Sequence, residues 1–209
     1  HSALAPSGEP IWLDMARRSA LALLKMAADG RNLSDILTPA ALENAMLIHA
    51  AFGGSTNLLL HIPAIAHAAG IRQPTIEDWD RINRETPRLV DALPNGRRNH
   101  PTVQVFMAGG VPEVMLHLRD MGLLNTDVTT VTGHTLDSVL DWSKDSERRS
   151  IARALLTSVT HVDPQNIIMD ADSARKAGLS STVVFPMGNI APDGAVIKAT
   201  AIDPSVVDA

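Results

Sequence analysis

The chain has 209 residues, a formal net charge of −5 at pH 7 and 45% hydrophobic residues. This apolar content is enough for the core of one large domain, or of one domain and part of another, and it excludes a disordered chain. The acidic balance and the scattered basic residues argue against a general nucleic-acid binder. The absence of cysteine excludes disulfides and cysteine-ligated metals within these residues.

No segment predicts a membrane span or a signal peptide. Among the longest apolar runs, Leu58 to Ala66 contains His61 and Pro63 and is too short to cross a bilayer. The stretch His1 to Pro6 has neither a charged lead nor a long apolar segment. We therefore expect a cytoplasmic protein with no membrane or nucleic-acid partner. Both termini look cut from a longer chain, because natural domain ends are usually more polar.

The first two thirds of the chain predict helices, because apolar residues recur at helical spacing between polar caps and glycines. A capping-box pattern at Thr75 begins one of them. A loop rich in Pro, Asn, Gly and Arg covers residues 87–101. The predicted helices run from Pro10 to Gly30, Thr38 to Gly53, Leu58 to Gly70, Thr75 to Pro87, Gly110 to Gly122, through Val139 to Trp142, and from Ser146 to Leu156.

The later part of the chain has β character. Val128 to Thr132 is β-branched and predicts a strand or an extended lead-in to the next helix. Ile167 to Met169 predicts a short strand, and two further strands are predicted within Ser181 to Phe185 and Gly194 to Ile202. We place a domain boundary near Leu179, where this change of character is complete.

Two glycine pairs precede predicted helices, Gly53-Gly54 and Gly109-Gly110. Glycines let the backbone approach a ligand closely, and the free N–H groups of a helix start favour a carboxylate or a phosphate. An ordinary capped helix explains the first pair as well, because Ser55, Thr56 and Asn57 are preferred cap residues. Neither pair resembles a nucleotide-binding fingerprint.

Four sequence blocks occur in a fixed order along the chain. They are Gly53 to Asn57, Ala108 to Pro112, Thr130 to Thr135 and Gly188 to Lys198. Together they resemble the dihydroxy-acid and phosphogluconate dehydratase family, and the resemblance covers essentially the whole chain. Three stretches are similar to the sugar-acid branch of that family, namely Ser2 to Gly8, His49 to Gly54 and Lys198 to Val207.

The resemblance implies a hydro-lyase that dehydrates an aldonic acid, with xylonate the favoured substrate, to the 2-keto-3-deoxy acid. Such chemistry needs a base for the C2 proton and a Lewis acid for the C3 hydroxyl. The family supplies an iron–sulfur cluster, expected to be of the two-iron type, and a magnesium ion. Its cluster cysteines, magnesium ligands and base serine match positions outside this chain. We therefore expect no catalytic residue, metal ligand or bound cofactor in the chain, and no activity of the chain alone.

The resemblance also implies the fold class α/β and a homo-oligomer, either a dimer or a tetramer. Residues 1–179 are expected to be the later, helix-rich part of an α/β N-terminal domain. Residues 180–209 are expected to be the opening strands of a C-terminal β-barrel domain, with the active site between the two domains.

The resemblance implies that the first glycine-pair segment lines the substrate and cluster cavity. The predicted lining residues are Gly54, Ser55, Thr56, Asn57 and His61. His61 follows Asn57 by one helical turn, so the two side chains can face the same cavity. A histidine among leucines is as often a core residue, and both explanations of His61 stay open.

A possible second polar cluster consists of Asn189, Asp193 and Lys198. Because Asp193-Gly194 is a strong hairpin signal, turn formation is the main explanation and substrate contact the weaker one.

A different class of function applies if the 209 residues are the entire protein. The chain is then a non-catalytic carboxylate-binding module, or a degenerate subunit that assembles with an active partner. A complete module buries its own core and closes its sheet, whereas part of a larger enzyme leaves apolar surface and unpaired strand edges.

Overall fold

A computed structural model describes residues 4–202 of the chain. This part is mostly helical, with one small antiparallel sheet, as expected for the helix-rich part of an α/β domain. Residues 2–3 and 203–207, which contribute to the sugar-acid resemblance, lie outside it. The helices are α1 Pro10–Ala28, α2 Pro39–Phe52, α3 Leu58–Ala68, α4 Ile76–Glu85, α5 Thr102–Ala108, α6 Gly110–Asp120, α7 Leu136–Lys144, α8 Glu147–Thr160 and α9 Ala171–Lys176, and the strands are β1 Val183–Val184 and β2 Ile197–Lys198.

Side-chain caps begin four of the predicted helices. The hydroxyl of each cap residue accepts from the backbone N–H three residues later, which satisfies a donor that the helix itself cannot pair. The capping box of α4 is complete, because Asp78 also accepts from the backbone N–H of Thr75. The four cap residues are Thr38, Thr75, Thr135 and Ser146.

Two helices, α5 and α9, were not predicted from the sequence. Helix α5 has seven residues, and its N-cap residue, Pro101, makes no side-chain cap bond. Its short apolar run lacks both the length and the cap that mark the other helices. Val105 and Ala108 of this helix are nevertheless fully buried, so tertiary packing stabilises it.

At Val128 to Thr132, where the sequence left a strand or an extended lead-in open, no strand forms, and the strand predicted at Ile167 to Met169 does not form either. Val128 to Thr132 closes a tight turn, in which Thr129 makes a single antiparallel bridge to Thr135 just before α7. The strand prediction at Ile167 to Met169 is wrong, because Ile168 makes only an isolated bridge to Val90. The partner segment turns away after Asp91, whose carboxylate accepts from the backbone N–H of Arg97.

The core surrounds α2, which packs against α3, α4 and α6, while α5 packs against α6 and α8. Helix α1 contributes little, since Met26 is its one buried residue and Leu23 and Leu24 are 66% and 67% exposed. No helix between residues 4 and 202 is long and apolar enough to cross a membrane. The fully buried core side chains include Leu89, Val105, Val114, Leu118, Leu156 and Ile167.

The sheet consists of β1 and β2, with Val183 opposite Lys198 and Val184 opposite Ile197. It confirms β structure in both predicted regions, although each strand has only two residues. Strand β1 also contacts α4, so the hairpin packs on the helical body. Within the described range this is the only sheet, and a barrel beyond it stays a prediction.

Candidate functional site

The first glycine pair forms the turn between α2 and α3. Gly53 ends α2 in the left-handed conformation, with φ 70°, and the N–H of Gly54 donates to the carbonyl of His49 at 2.9 Å. This is a common way to end a helix, because glycine adopts a positive φ without strain. The turn then passes through Ser55, Thr56 and Asn57 into α3.

The hydrogen bonds of this turn leave two backbone donors free. The N–H groups of Leu58 and Leu59 donate to the carbonyls of Ser55 and Thr56, each at 3.1 Å, and the N–H of Asn57 donates to Oγ of Ser55 at 3.2 Å. The N–H groups of Ser55 and Thr56 find no acceptor among residues 4–202. The donors available to an anionic ligand therefore lie in the turn, before the helix starts.

His49 supports the turn from the side of α2. Its side chain is buried, and Nε2 lies 2.9 Å from the carbonyl oxygen of Ser55. The imidazole also meets Trp79 of α4 edge to face, with ring centroids 5.4 Å apart. Burial lowers the pKa of His49 from its ordinary value, and the hydrogen bond to Ser55 opposes that shift. The ring is therefore neutral near pH 7.

Arg88 and Asn95 hold the turn from the opposite side. The Asn95 side-chain amide donates to the carbonyl of Gly53 at 2.9 Å, and its oxygen accepts from the Thr200 hydroxyl at 3.1 Å. Arg88, itself buried, donates to the carbonyls of Val90 and Asn95. The turn is thus fixed between α2, the loop at residues 87–101 and the segment that follows β2.

The predicted cavity residues lie together on this turn and the first part of α3. Ser55, Asn57 and His61 are exposed, and Gly54 and Thr56 are half-buried. The N–H of His61 donates to the carbonyl of Asn57 at 3.1 Å, which confirms the spacing of one helical turn. Because its side chain is exposed, His61 is not a core residue of the described part.

The predicted second polar cluster is not held together by side-chain bonds. Asn189 and Asp193 are exposed and Lys198 is half-buried in β2. No hydrogen bond or ion pair joins these three side chains in the range that the structure covers. Gly194 has φ 86°, which agrees with turn formation at Asp193-Gly194.

A buried ion cluster lies under the second glycine pair, and sequence reasoning missed it. The Glu113 carboxylate accepts from Arg149 at 2.6 and 2.7 Å and from Arg153 at 3.2 Å. Gly109 is required here, because a Cβ at that position would lie 2.8 Å from the Glu113 side chain. The sequence signal for this cluster is the pair Arg149 and Arg153, because residues four apart lie on the same face of a helix.

The chain does not fit a cysteine-held iron–sulfur cluster, and its residues 4–202 do not fit a magnesium site. The chain has no cysteine to hold iron. Between residues 4 and 202, no three His, Asp or Glu side chains converge as metal ligands. What the site offers is a rigid turn with free N–H donors and short polar side chains.

The chain also matches a known protein family. The profile of the family described as Dihydroxy-acid/6-phosphogluconate dehydratase N-terminal matches residues 1–139. The chain therefore belongs to the dihydroxy-acid and 6-phosphogluconate dehydratase family.

Within this family, the chain is similar over its whole length to sugar-acid dehydratases. The chain is 60% identical over 208 residues to D-xylonate dehydratase YjhG and 61% identical over 207 residues to D-xylonate dehydratase YagF, both of Escherichia coli strain K12. It is 37% identical over 207 residues to a dihydroxy-acid dehydratase of Mycobacterium tuberculosis. These matches cover 99% or 100% of the chain, which spans 32% of the length of each relative.

Proposed function

We propose that this chain is part of a hydro-lyase that dehydrates a sugar acid, with D-xylonate as substrate and the 2-keto-3-deoxy acid as product. One observation carries the proposal, namely the 60% identity to a D-xylonate dehydratase over the whole chain. Identity to the dihydroxy-acid dehydratase is much lower, at 37%.

In this proposal the turn at residues 53–57 lines the cavity for substrate and cluster, together with His61. The free N–H groups of Ser55 and Thr56 suit the oxygens of a carboxylate or a hydroxyl. The side chains of Thr56 and Asn57 make no hydrogen bond within residues 4–202, so both are available to a ligand. A weaker contact with substrate at Asn189, Asp193 and Lys198 belongs to the same proposal.

The cofactors of the proposed enzyme are a two-iron iron–sulfur cluster and magnesium, bound by parts of the protein outside this chain. When bound, they supply the Lewis acid that assists departure of the C3 hydroxyl. The chain by itself is then inactive. We also propose a cytoplasmic homo-oligomer, a dimer or tetramer, in which residues 180–209 begin a β-barrel domain and residues 1–179 belong to the α/β domain.

The surface of the chain favours this proposal over a self-contained carboxylate-binding module or a degenerate partner subunit. Trp12 and Leu24 of α1 and Val159 of α8 are large apolar side chains with much exposed surface. Both strands of the hairpin have an outer edge that pairs with no strand between residues 4 and 202. Surfaces of this kind are usually covered by further protein.

The test is dehydration by the whole protein that contains this chain, purified without oxygen and supplied with iron and magnesium. We expect 2-keto-3-deoxy acid to form faster from D-xylonate than from other aldonates or from a branched dihydroxy acid. Failure to form a keto acid from every aldonate tested would overturn the proposal.

The cavity role is tested in the same protein by Asn57→Ala. We expect kcat/KM to fall about tenfold or more, because a hydrogen bond to substrate is lost, with the melting temperature unchanged. Asn166→Ala is the matched control, an exposed asparagine outside this segment. Equal kcat/KM values for the two variants would contradict a cavity role for Asn57.

A further inference from the structure

His49 is a buried polar side chain directly beneath the turn at residues 53–57. Its relative exposure is 3%, and Nδ1 has no hydrogen-bond partner among residues 4–202. A buried ring nitrogen without a partner has a free-energy cost, which a purely apolar side chain in this place would avoid. The other ring nitrogen is the one that makes a specific contact.

The contact fixes the tautomer of the ring. A carbonyl oxygen only accepts hydrogen bonds, so Nε2 must donate to the carbonyl of Ser55. In the neutral ring Nδ1 then carries no hydrogen, and its burial leaves only a lone pair unsatisfied. Burial lowers the pKa of His49, which agrees with this neutral form.

The hydrogen bond from His49 to the Ser55 carbonyl also orients the free N–H of Thr56, because both groups belong to one planar peptide. The bond between Ser55 and Thr56 is trans, since Leu93-Pro94 is the cis bond of the described chain. In a trans peptide, the carbonyl of one residue and the N–H of the next point in opposite directions. The bond from His49 to the Ser55 carbonyl therefore directs the N–H of Thr56 away from the imidazole.

Gly54 allows the ring to reach this carbonyl. A Cβ at position 54 would clash with Cδ2 of His49, because the two carbon atoms would lie closer than van der Waals contact allows. The N–H of Leu58 also donates to the Ser55 carbonyl, so His49 supplies one of two bonds that hold the peptide. His49, Gly54 and Ser55 form one closely packed unit.

We infer that His49 is a positioning residue, which holds the Ser55–Thr56 peptide so that the free N–H of Thr56 faces a ligand. It acts through the peptide and does not itself touch substrate. The inference deepens the proposed function and rests on it, because the cavity role of the turn is part of that proposal.

The experiment compares three variants of the whole protein. His49→Leu removes the donor, His49→Gln keeps an amide N–H near the place of Nε2, and Trp79→Phe alters the ring contact but leaves the donor. We expect His49→Leu to lower kcat about tenfold or more, since small misplacements of a binding group have effects of this size. Both other variants should stay within about threefold of the wild type. A purely structural role would instead lower the melting temperature of both His49 variants alike, with kcat per folded enzyme unchanged.

A second readout does not depend on activity. We expect amide hydrogen exchange in residues 54–60 to be faster in His49→Leu than in His49→Gln, because one bond to the Ser55 carbonyl is lost. Equal exchange in the two variants would overturn the inference. An inactive wild type would contradict the proposed function, and the exchange measurement would still decide the role of His49.

Discussion

At the residue scale, Gly54 has no room for a side chain because the His49 ring fills that space. We expect Gly54→Ala to lower the free energy of unfolding by about 1–3 kcal/mol, the usual effect of overpacking. Gly188→Ala is the control, since nothing lies within 4 Å of a Cβ there, and it should change stability by less than about 0.5 kcal/mol. Urea unfolding of both variants measures the difference, and equal stabilities would contradict the contact.

Glu113 gives a second prediction for a single residue. Its side chain is 7% exposed, and Glu113→Gln removes the negative charge that faces Arg149 and Arg153. We expect a loss of roughly 2–3 kcal/mol in the free energy of unfolding, less than for a fully buried pair because both arginines reach solvent.

The control for Glu113 is Asp172→Asn, which breaks the exposed pair with Arg175. Such pairs contribute about 0–1 kcal/mol. Chemical denaturation of the two variants compares them directly. A Glu113 variant as stable as the Asp172 variant would show that the buried cluster does not stabilise the fold.

At the scale of elements, the hydrogen bonds at the start of α4 predict that the stability of the fold falls at acid pH. The pKa of Asp78 falls from 3.8 to about 2, chiefly because the guanidinium of Arg72 donates to its carboxylate, with a further bond from the N–H of Thr75. A lowered pKa adds stability that is complete above the ordinary value of 3.8 and is lost as the pH falls through about 2.

The matched variant is Asp78→Asn. We expect it to be less stable than the wild type near pH 5, with the difference shrinking steadily towards about pH 2. Unfolding free energies across this range provide the measurement. A difference that stays constant with pH would assign the effect to packing and not to the charge.

The helices and strands also show which parts of the fold the sequence alone could predict. Thr38, Thr75 and Ser146 marked helix starts correctly, because a cap and the helix that it begins are neighbours in the chain. Helix α5 was missed and the strand at Ile167 to Met169 was wrong, because packing between distant segments decides both. Helix α9 was also missed, although Asp170 caps it locally.

The same limit applies to the candidate site. The glycine pair and its polar neighbours were visible as a motif, and the structure confirms that they form a turn before a helix. The bond that fixes the turn, from Asn95 to Gly53, joins separate segments of the chain, and Arg88 holds Asn95 in place. No local pattern of helix or strand predicts such contacts, since they depend on the assembled fold.

At the scale of the whole molecule, the exposed face of α1 predicts association. Leu23 and Leu24 are largely exposed, and Met26 is the one buried residue of that helix. We expect the isolated chain to self-associate, and the double variant Leu23→Glu, Leu24→Glu to associate less, because apolar surface is replaced by charge. Sedimentation velocity measures both.

Thermal unfolding of the same variant provides the control. Its midpoint should be close to that of the wild type, because these side chains contribute little to the core. Leu156→Ala, at a fully buried position, should cost about 2–5 kcal/mol in comparison. Unchanged sedimentation of the α1 variant would show that association uses another surface.

The amide of Asn95 joins three parts of the chain that are far apart in sequence. It bonds to Gly53, 42 residues earlier, and to Thr200, 105 residues later. During synthesis on the ribosome, the helices up to α4 can therefore form well before this junction is complete. Contacts between such distant residues form slowly, because a long loop must close first. The turn at Gly53 therefore leaves the ribosome well before Thr200 does, and it reaches its final geometry only after Thr200 has followed.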